Sequence, residues 1–319
     1  MNIYETISNI GIIPVIAIED AAKAVPLAKA LADGGLPAAE VTFRTAAAED
    51  AIRAIVKEVP EMLVGAGTVL TTEQADRAMA AGATFIVAPG YDPNVTQHVI
   101  DKGGIMMPGT ATAGEMQQAM NQGCEVIKFF PAEANGGVAM LKNIGAALKT
   151  AKWMCTGGVN SKNVNDYLGY EQIAAVGGTW MCKNDMIKAE KWDEITAMCK
   201  EAVKTMLGFE LAHIGINCGN EAEAEQTAKT LCALFGLNYK AGNSSIFAGK
   251  AVECMKKPGR GANGHIAIGT NSVDRAIYHL GRQGVEFVEE SRVVDAKGKT
   301  KAIYIKQELS GFAIHLMQK

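Results

Sequence analysis

The sequence predicts an α/β protein, with a (β/α)8 TIM barrel followed by a small α+β domain of paired βαβββ modules. Three observations support this prediction. Short runs rich in Val and Ile alternate with helix-period segments through the first two thirds of the chain. That alternation stops near residue 207. Beyond it, the strings AHIGIN and GHIAIGT begin 52 residues apart, which indicates an internal duplication. The predicted domains are therefore residues 1–207 and 208–319.

The barrel strands are predicted from eight apolar runs, each followed by a loop and an amphipathic segment. Strands that are buried on both faces have continuous apolar sequences. The intervening segments, such as AAKAVPLAKALADGG and TTEQADRAMAAG, have helical periodicity and end in Gly. A doubly wound open sheet is the alternative, but eight strands in strict alternation favour the barrel. The runs are residues 11–18, 38–45, 62–69, 83–90, 104–111, 125–132, 152–159 and 172–179.

Composition narrows the classes of partner. The chain has 319 residues, 48% hydrophobic and 20% charged, with a formal net charge of −3 and no basic run. Nucleic acid and acidic membrane surfaces are therefore not expected as partners. A small metabolite is the expected partner. No apolar stretch is long enough for a membrane span, and the sequence MNIYETISN is unlike a signal peptide. Seven cysteines without a CxxC pair fit reduced thiols and predict a cytoplasmic protein.

Lys128 is the strongest candidate for a catalytic residue. It is the only charged residue in the apolar run VIKFFPA, which is the sixth predicted strand. A lysine that points into a barrel is desolvated, and burial favours the neutral, nucleophilic amine. The alternative is a lysine at the edge of the core whose ammonium reaches water. The barrel context and the neighbouring Phe129, Phe130 and Pro131 favour the catalytic interpretation.

The second predicted strand ends with polar residues on one side. At the two-residue period of a strand, Glu40, Thr42 and Arg44 share a face. A carboxylate beside a Schiff-base lysine can transfer the protons that the reaction requires. An arginine can bind a substrate carboxylate or phosphate through two hydrogen bonds. A structural ion pair between neighbouring strands remains the alternative.

Paired glycines follow the last two predicted strands of the barrel. They occur as Gly157 and Gly158 after Thr156, and as Gly177 and Gly178 before Thr179. The loops after strands 7 and 8 are the usual phosphate site of such barrels, and glycines let backbone N–H groups approach an anion. These motifs therefore predict a phosphorylated substrate, with tight βα turns as the alternative.

The motifs EVTFRT, GAGTV, APG, MPGT, IKFFPAE, TGGV and GGTW, in this order and spacing, resemble one enzyme family. It is the family of 2-keto-3-deoxy-6-phosphogluconate (KDPG) and 4-hydroxy-2-oxoglutarate (KHG) aldolases. The resemblance covers about residues 1–205. It implies class I chemistry, in which a lysine forms an imine with pyruvate, without a metal or other cofactor, in a homotrimer. The implied substrate is a keto acid or sugar acid phosphate.

The resemblance also implies a role for each matching residue. Lys128 is the implied Schiff-base lysine and Glu40 the implied proton shuttle, while Arg44 and Thr68 bind the pyruvyl carboxylate. The other implied substrate-binding residues, mainly of the phosphate pocket, are Pro89, Phe130, Thr156, Gly157, Gly158, Gly178 and Thr179.

Two positions depart from the pattern of the family. A serine is usual at Thr179, and a proline is common at Cys155, so the implied phosphate pocket differs slightly here. Two other functions are alternatives to the Schiff-base aldolase. One is a metal-dependent pyruvate aldolase, which the scarcity of carboxylates besides Glu40 disfavours. The other is a metabolite-binding protein with an accessory C-terminal domain, which the presence of both Lys128 and Glu40 disfavours.

The second predicted domain contains a candidate metal site. In the similar sequences AHIGIN and GHIAIGT, His213 and His265 occupy equivalent positions. At the two-residue period of a strand, their bulky apolar neighbours face the other side. Glu253 and His315 lie in the last predicted strands of the two halves. Three imidazoles and a carboxylate from paired repeats could bind a divalent metal. His279 lies in a helical pattern and is expected on the surface.

This region resembles the glyoxalase/bleomycin-resistance (vicinal oxygen chelate) superfamily, whose two βαβββ modules form a cupped sheet. The resemblance implies metal ligands at the first and last strands of each module, and the matching residues are His213, Glu253, His265 and His315. A glutamate is more usual at the position of His315, and many members of that superfamily only bind ligands or oligomerise.

Overall fold

The computed structural model describes residues 2–319. The chain divides into two compact units, the first ending at Met206 and the second running from Leu207 to Lys319. Within the described residues, no helix has both the length and the apolar character that a membrane span requires.

The first unit contains a nearly closed barrel of parallel strands, which confirms the predicted fold class. Around the barrel the strand order is β5-β4-β3-β2-β1-β9-β8-β7-β6. The strands are β1 (Ile12–Ile16), β2 (Ala38–Thr42), β3 (Leu63–Gly67), β4 (Phe85–Val87), β5 (Met106–Met107), β6 (Gly109–Thr110), β7 (Ile127–Phe129), β8 (Trp153–Thr156) and β9 (Ile173–Gly178).

The fifth predicted strand is divided into β5 and β6 by Pro108. A proline has no backbone N–H and therefore interrupts a ladder of strand hydrogen bonds. Here β5 pairs with β4, and β6 pairs with β7 on the other side. The carbonyl of Pro108 still accepts a hydrogen bond from the backbone N–H of Lys128 at 2.9 Å. Eight strand positions therefore form the nearly closed barrel, in the number that the sequence predicts.

The helices begin where the sequence places capping residues. Thr112 and Glu115 form a capping box, and Asp92 caps a helix whose first residue is Pro93. The helices of this unit are α1 (Ile3–Ile10), α2 (Ala24–Asp33), α3 (Ala48–Glu58), α4 (Thr72–Ala80), α5 (Pro93–Asp101), α6 (Ala113–Asn121), α7 (Gly137–Ala147), α8 (Val164–Leu168), α9 (Asn184–Lys188) and α10 (Trp192–Leu207).

The second unit is a mixed eight-stranded sheet with two helices. Each half of the unit has the order β-α-β-β-β. The sheet order is β11-β12-β13-β10-β14-β17-β16-β15, so the two halves meet at the antiparallel pair β10 and β14. The elements are β10 (Glu210–Asn217), α11 (Glu221–Phe235), β11 (Tyr239–Ala241), β12 (Ser245–Ala248), β13 (Val252–Met255), β14 (Gly264–Thr270), α12 (Val273–Gly281), β15 (Phe287–Val294), β16 (Thr300–Leu309) and β17 (Phe312–Gln318).

In the first half, the two faces of the sheet have different side chains. One face packs against α11, and the buried residues of this core, from both the sheet side and the helix, are Cys218, Ala224, Ala228, Ile246, Ala248 and Cys254. Because side chains alternate along a strand, Phe247 and Glu253 lie on the opposite face. In the second half, His279 is only 2% exposed, so the expectation of a surface position is wrong. It lies on the buried side of α12 with Val273 and Ala276, which the helical spacing did not reveal.

Candidate active site

Lys128 and Glu40 form a buried ion pair inside the barrel. The Lys128 Nζ donates hydrogen bonds to Oε1 of Glu40 at 3.0 Å and to Oε2 at 3.4 Å. Lys128 is 5% exposed and Glu40 is 1% exposed. They come from β7 and β2, and the sequence predicted both. An amine and a carboxylate in contact provide a nucleophile and a proton carrier at one point.

The amine of Lys128 is held by its strand and by an aromatic ring. The Nζ lies 5.3 Å from the centre of the Phe130 ring, at a distance typical of a cation–π contact. The hydroxyl of Thr110 donates to the carbonyl of Lys128 at 3.0 Å. Together with the bond to Pro108, this contact fixes the strand that carries the lysine.

Gly67 makes room for the Glu40 carboxylate. It is the last residue of β3 and pairs with Thr42 on β2. A Cβ at position 67 would overlap Oε1 of Glu40, so a larger residue would displace the carboxylate. Sequence reasoning missed this residue, although the alternating glycines of GAGTV were a signal for close approach by a neighbouring side chain.

The TGGV loop packs on the segment that follows Lys128. The N–H of Glu133 donates to the carbonyl of Gly157 at 3.0 Å. Gly157 has φ +101° and Gly158 has φ +88°, which side chains rarely adopt, and a Cβ on Gly158 would press on Glu133. The Tyr167 hydroxyl donates a short hydrogen bond to Oε1 of Glu133. Burial, reinforced by this hydrogen bond, raises the pKa of Tyr167, so the phenol stays protonated as a donor.

Glu133 and Tyr167 were not identified from the sequence. Glu133 lies within the motif IKFFPAE, but nothing in the sequence indicates that it contacts a tyrosine 34 residues later. Their contact sets the position of the glycine loop.

Thr156 ends β8 with a buried hydroxyl. It is 8% exposed, and its Oγ1 has no hydrogen-bond partner among residues 2–319. A buried hydroxyl without a partner is costly, so a polar ligand at this place would be stabilised. Gly177 faces it, since a Cβ there would overlap the Thr156 Oγ1. Gly178 lies against the Trp180 ring, and Thr179 follows it as an exposed residue.

Three other predicted residues follow strands of the barrel. Strand β2 ends at Thr42, so Arg44 lies in a turn and is exposed. The strand alternation used to place Arg44 on the side of Glu40 therefore does not extend to residue 44. Thr68 follows β3 with φ +56°, an uncommon conformation for a residue with a side chain. Pro89 follows β4 and is partly buried.

Cys155 takes no part in this chemistry. It is fully buried in β8, and burial raises the pKa of its thiol well above the usual value. The thiol therefore remains protonated and acts as a small apolar side chain at the start of the TGGV loop.

A second cluster lies on the sheet of the C-terminal unit. The Oε2 of Glu253 is 3.1 Å from Nε2 of His213 and 3.0 Å from Nε2 of His265, and these two nitrogens are 3.1 Å apart. His315 joins them, because one ring nitrogen of each histidine lies within 4.8 Å of the others. The sequence predicted all four residues, and the structure brings His213, His265 and His315 together around Glu253.

The protonation states of the cluster fit a cation. Burial alone would raise the pKa of Glu253. Hydrogen bonds from His213 and His265 have the larger combined effect, so the pKa of Glu253 is lower than usual. Burial and the two neighbouring histidines lower the pKa of His315 to about 4. Neither ring nitrogen of His315 makes a hydrogen bond of ordinary geometry with any residue from 2 to 319. An ionised carboxylate and a neutral imidazole with free nitrogens form the donor set that a divalent metal requires.

The barrel sequence matches known aldolases. Residues 3–198 match the family model "KDPG and KHG aldolase". The 2-dehydro-3-deoxy-phosphogluconate aldolase of Treponema pallidum is 41% identical over 204 residues, which are 64% of this chain and 97% of that protein. The KHG/KDPG aldolase of Escherichia coli K12 is 41% identical over 201 residues, 63% of this chain and 94% of that protein.

Solved structures agree with the sequence matches. The KDPG aldolase of Legionella pneumophila, crystallised with pyruvate captured as a covalent carbinolamine intermediate, is 37% identical with a TM-score of 0.61. The alignment covers 63% of this chain and 98% of that chain. The Zymomonas mobilis aldolase with 3-phosphoglycerate is 36% identical with a TM-score of 0.58, covering 63% and 95%. With its family match over more than half of its length, the chain belongs to the KDPG and KHG aldolase family.

Proposed function

We propose that this protein is a class I aldolase with Lys128 as its covalent catalyst. Its substrate is KDPG, cleaved to pyruvate and glyceraldehyde 3-phosphate, or KHG, cleaved to pyruvate and glyoxylate, or both. The observation that carries the proposal is the buried pair of Lys128 and Glu40, 3.0 Å apart inside the barrel. The named activities of the related proteins support the choice of substrates.

The reaction follows from the two side chains. Glu40 accepts a proton from the Lys128 ammonium, and the resulting amine attacks the C2 ketone of the keto acid. Glu40 then returns this proton to the carbinolamine hydroxyl, which leaves as water. The resulting iminium accepts the electron pair of the C3–C4 bond as that bond breaks. Glu40 takes the proton from the C4 hydroxyl, and the aldehyde leaves. Protonation of the enamine at C3 and hydrolysis of the imine release pyruvate and the free lysine.

The remaining predicted residues bind the ends of the substrate in this proposal. Arg44 and Thr68 hold the pyruvyl carboxylate, while Pro89 and Phe130 border the reacting carbon atoms. The free hydroxyl of Thr156 supports a polar ligand at the end of β8. The phosphate pocket comprises Thr156, Gly157, Gly158, Gly178 and Thr179.

A coupled assay of pyruvate release tests the proposed activity. The wild-type protein is expected to cleave KDPG or KHG in the presence of a chelator, while Lys128→Met is inactive. Lys142→Met is the matched control, because Lys142 is an exposed residue of α7. Cleavage that a chelator abolishes would favour the metal-dependent class of aldolase. Binding of the keto acid without cleavage would favour a metabolite-binding protein.

A second function is favoured by the cluster in the C-terminal unit. We infer that His213, Glu253, His265 and His315 bind a divalent metal. The converging nitrogen and oxygen atoms and the free nitrogens of His315 support this proposal. The order of elements is that of the vicinal oxygen chelate superfamily, which supports the same assignment. Metal analysis of the full-length protein after incubation with Zn²⁺ tests it, with one equivalent expected.

The proposal includes a homotrimer in the cytoplasm. The support for both is the resemblance to the aldolase family and the reduced-thiol pattern of the cysteines. Sedimentation of the full-length protein is expected to give three times the mass of the 33.7 kDa chain, and a monomer would contradict the trimer.

A further inference from the structure

The four residues of the C-terminal cluster lie in two neighbouring rows across the sheet. In one row Gly215 stands between Glu253 and His265, with which it is paired on either side. In the other row Ala267 stands between His213 and His315. Gly215 lies two positions after His213 on β10, and Ala267 lies two positions after His265 on β14. The same spacing of histidine and small residue therefore occurs in both halves of the unit.

Gly215 makes room for the ring of His265. A Cβ on Gly215 would overlap the imidazole ring of His265, so that ring occupies the space above the glycine. The Ser245 hydroxyl donates to Oε1 of Glu253 at 2.5 Å. This bond leaves Oε2, the oxygen closest to His213 and His265, directed at the centre. A hydrogen bond of this kind, from a residue behind the carboxylate, orients a ligand toward a metal.

His315 determines the chemistry of the donor set. It is 9% exposed, and its ring lies 5.1 Å from His265 and 5.7 Å from His213 between centroids. On its other side the Tyr304 ring lies at 4.8 Å and supplies no carboxylate. The cluster therefore offers three imidazoles and one carboxylate. Imidazole nitrogen favours zinc, nickel, copper and iron, whereas sets rich in carboxylate favour magnesium, calcium and manganese.

We propose that His315 sets the metal preference of this site, so that it selects late first-row ions such as Zn²⁺, Ni²⁺ and Co²⁺ over Mg²⁺ and Mn²⁺. This inference rests on the proposed metal site of the C-terminal unit. A glutamate at position 315 would replace a neutral nitrogen donor by a charged oxygen donor. It would thereby shift the preference toward the harder ions, whose binding depends on carboxylate charge.

The test is metal titration of the chelator-treated, full-length protein. Co²⁺ binding is followed by its visible absorption, and Zn²⁺, Mn²⁺ and Mg²⁺ are measured by competition. In the wild type, an excess of Mg²⁺ of about a hundredfold is expected to leave the Co²⁺ spectrum unchanged. His315→Glu is expected to lower the ratio of Co²⁺ to Mn²⁺ affinity by about tenfold or more and to shift the Co²⁺ bands. His98→Gln is the control, since His98 lies in the barrel beside Asp76.

The outcomes distinguish the existence of the metal site from the role of His315 in its metal preference. Co²⁺ binding by the wild type with an unchanged metal ratio in His315→Glu would overturn the role of His315 and leave the metal site intact. The absence of any Co²⁺ or Zn²⁺ binding by the wild type would overturn both. If His315→Glu fails to fold, His315→Gln replaces it. Weaker Co²⁺ binding and altered absorption bands are then expected, and an unchanged Co²⁺ spectrum would contradict the role of His315.

Discussion

Lys128 Nζ and Glu40 Oε1 lie 3.0 Å apart, although 88 residues separate them in the sequence. Both side chains are buried, and each comes from a strand on a different part of the barrel. Two opposite charges in an apolar interior are costly to maintain, so such pairs are often found where they serve a reaction.

Replacing Glu40 by Gln is expected to lower kcat by about a hundredfold to ten-thousandfold, the usual contribution of a general acid–base group. The amide keeps the size of the side chain but cannot carry the proton. Steady-state pyruvate release measures the effect. Glu125→Gln is the control, since Glu125 is exposed. A kcat within twofold of wild type, as an approximate threshold for no effect, would remove Glu40 from the proton transfers.

Replacing Gly67 by Ala is expected to reduce activity by displacing the Glu40 carboxylate, which the new Cβ would overlap. Overpacking of this kind costs about 1–3 kcal/mol of stability. Activity and the free energy of unfolding are measured together. Gly114→Ala in α6 is the control, because within the described chain a Cβ there would meet open space beyond its own helix backbone. Full activity in Gly67→Ala would show that the carboxylate position is unimportant.

Replacing Tyr167 by Phe is expected to raise KM for the phosphorylated substrate, because the Glu133 contact that supports the glycine loop is lost. Loss of one hydrogen bond predicts a change of about two- to tenfold. The KM for KHG, which has no phosphate, is expected to stay unchanged. Equal effects on both substrates would contradict a role in the phosphate pocket.

Replacing Gly215 by Ala is expected to weaken Co²⁺ binding by about 10- to 100-fold, since the methyl group takes the space of the His265 ring. Isothermal titration measures the affinity, and circular dichroism checks that the unit remains folded. Gly281→Ala at the end of α12 is the control, with open space around its Cβ within the described chain. Unchanged binding in a folded Gly215→Ala protein would argue against the proposed geometry.

The fold was largely predictable because burial dictates the sequence pattern. Strands buried on both faces need continuous apolar residues, so runs such as IIPVI and AAEVT revealed β1 and β2. The duplication was visible because equivalent strands in the second unit carry equivalent residues. Lys128 and Glu40 were predictable as charges in otherwise apolar strands.

Other features depend on contacts that no local pattern contains. Gly67 matters because the carboxylate of Glu40, on the neighbouring strand, lies against it. Tyr167 matters because its hydroxyl bonds to Glu133, which is 34 residues earlier in the sequence. The period-two reasoning extended the second strand to Arg44, but the strand ends at Thr42. His279 is buried, although a polar residue in an amphipathic helical pattern predicts exposure.

The most direct test of the central claim is to trap the imine. The protein is incubated with pyruvate, reduced with borohydride and digested, and the modified peptide is identified by mass spectrometry. The account predicts one reduced pyruvyl adduct, on Lys128, which is absent from Lys128→Met and present in Lys142→Met. An adduct on another lysine, or active protein that forms no adduct, would contradict the Schiff-base mechanism proposed for Lys128.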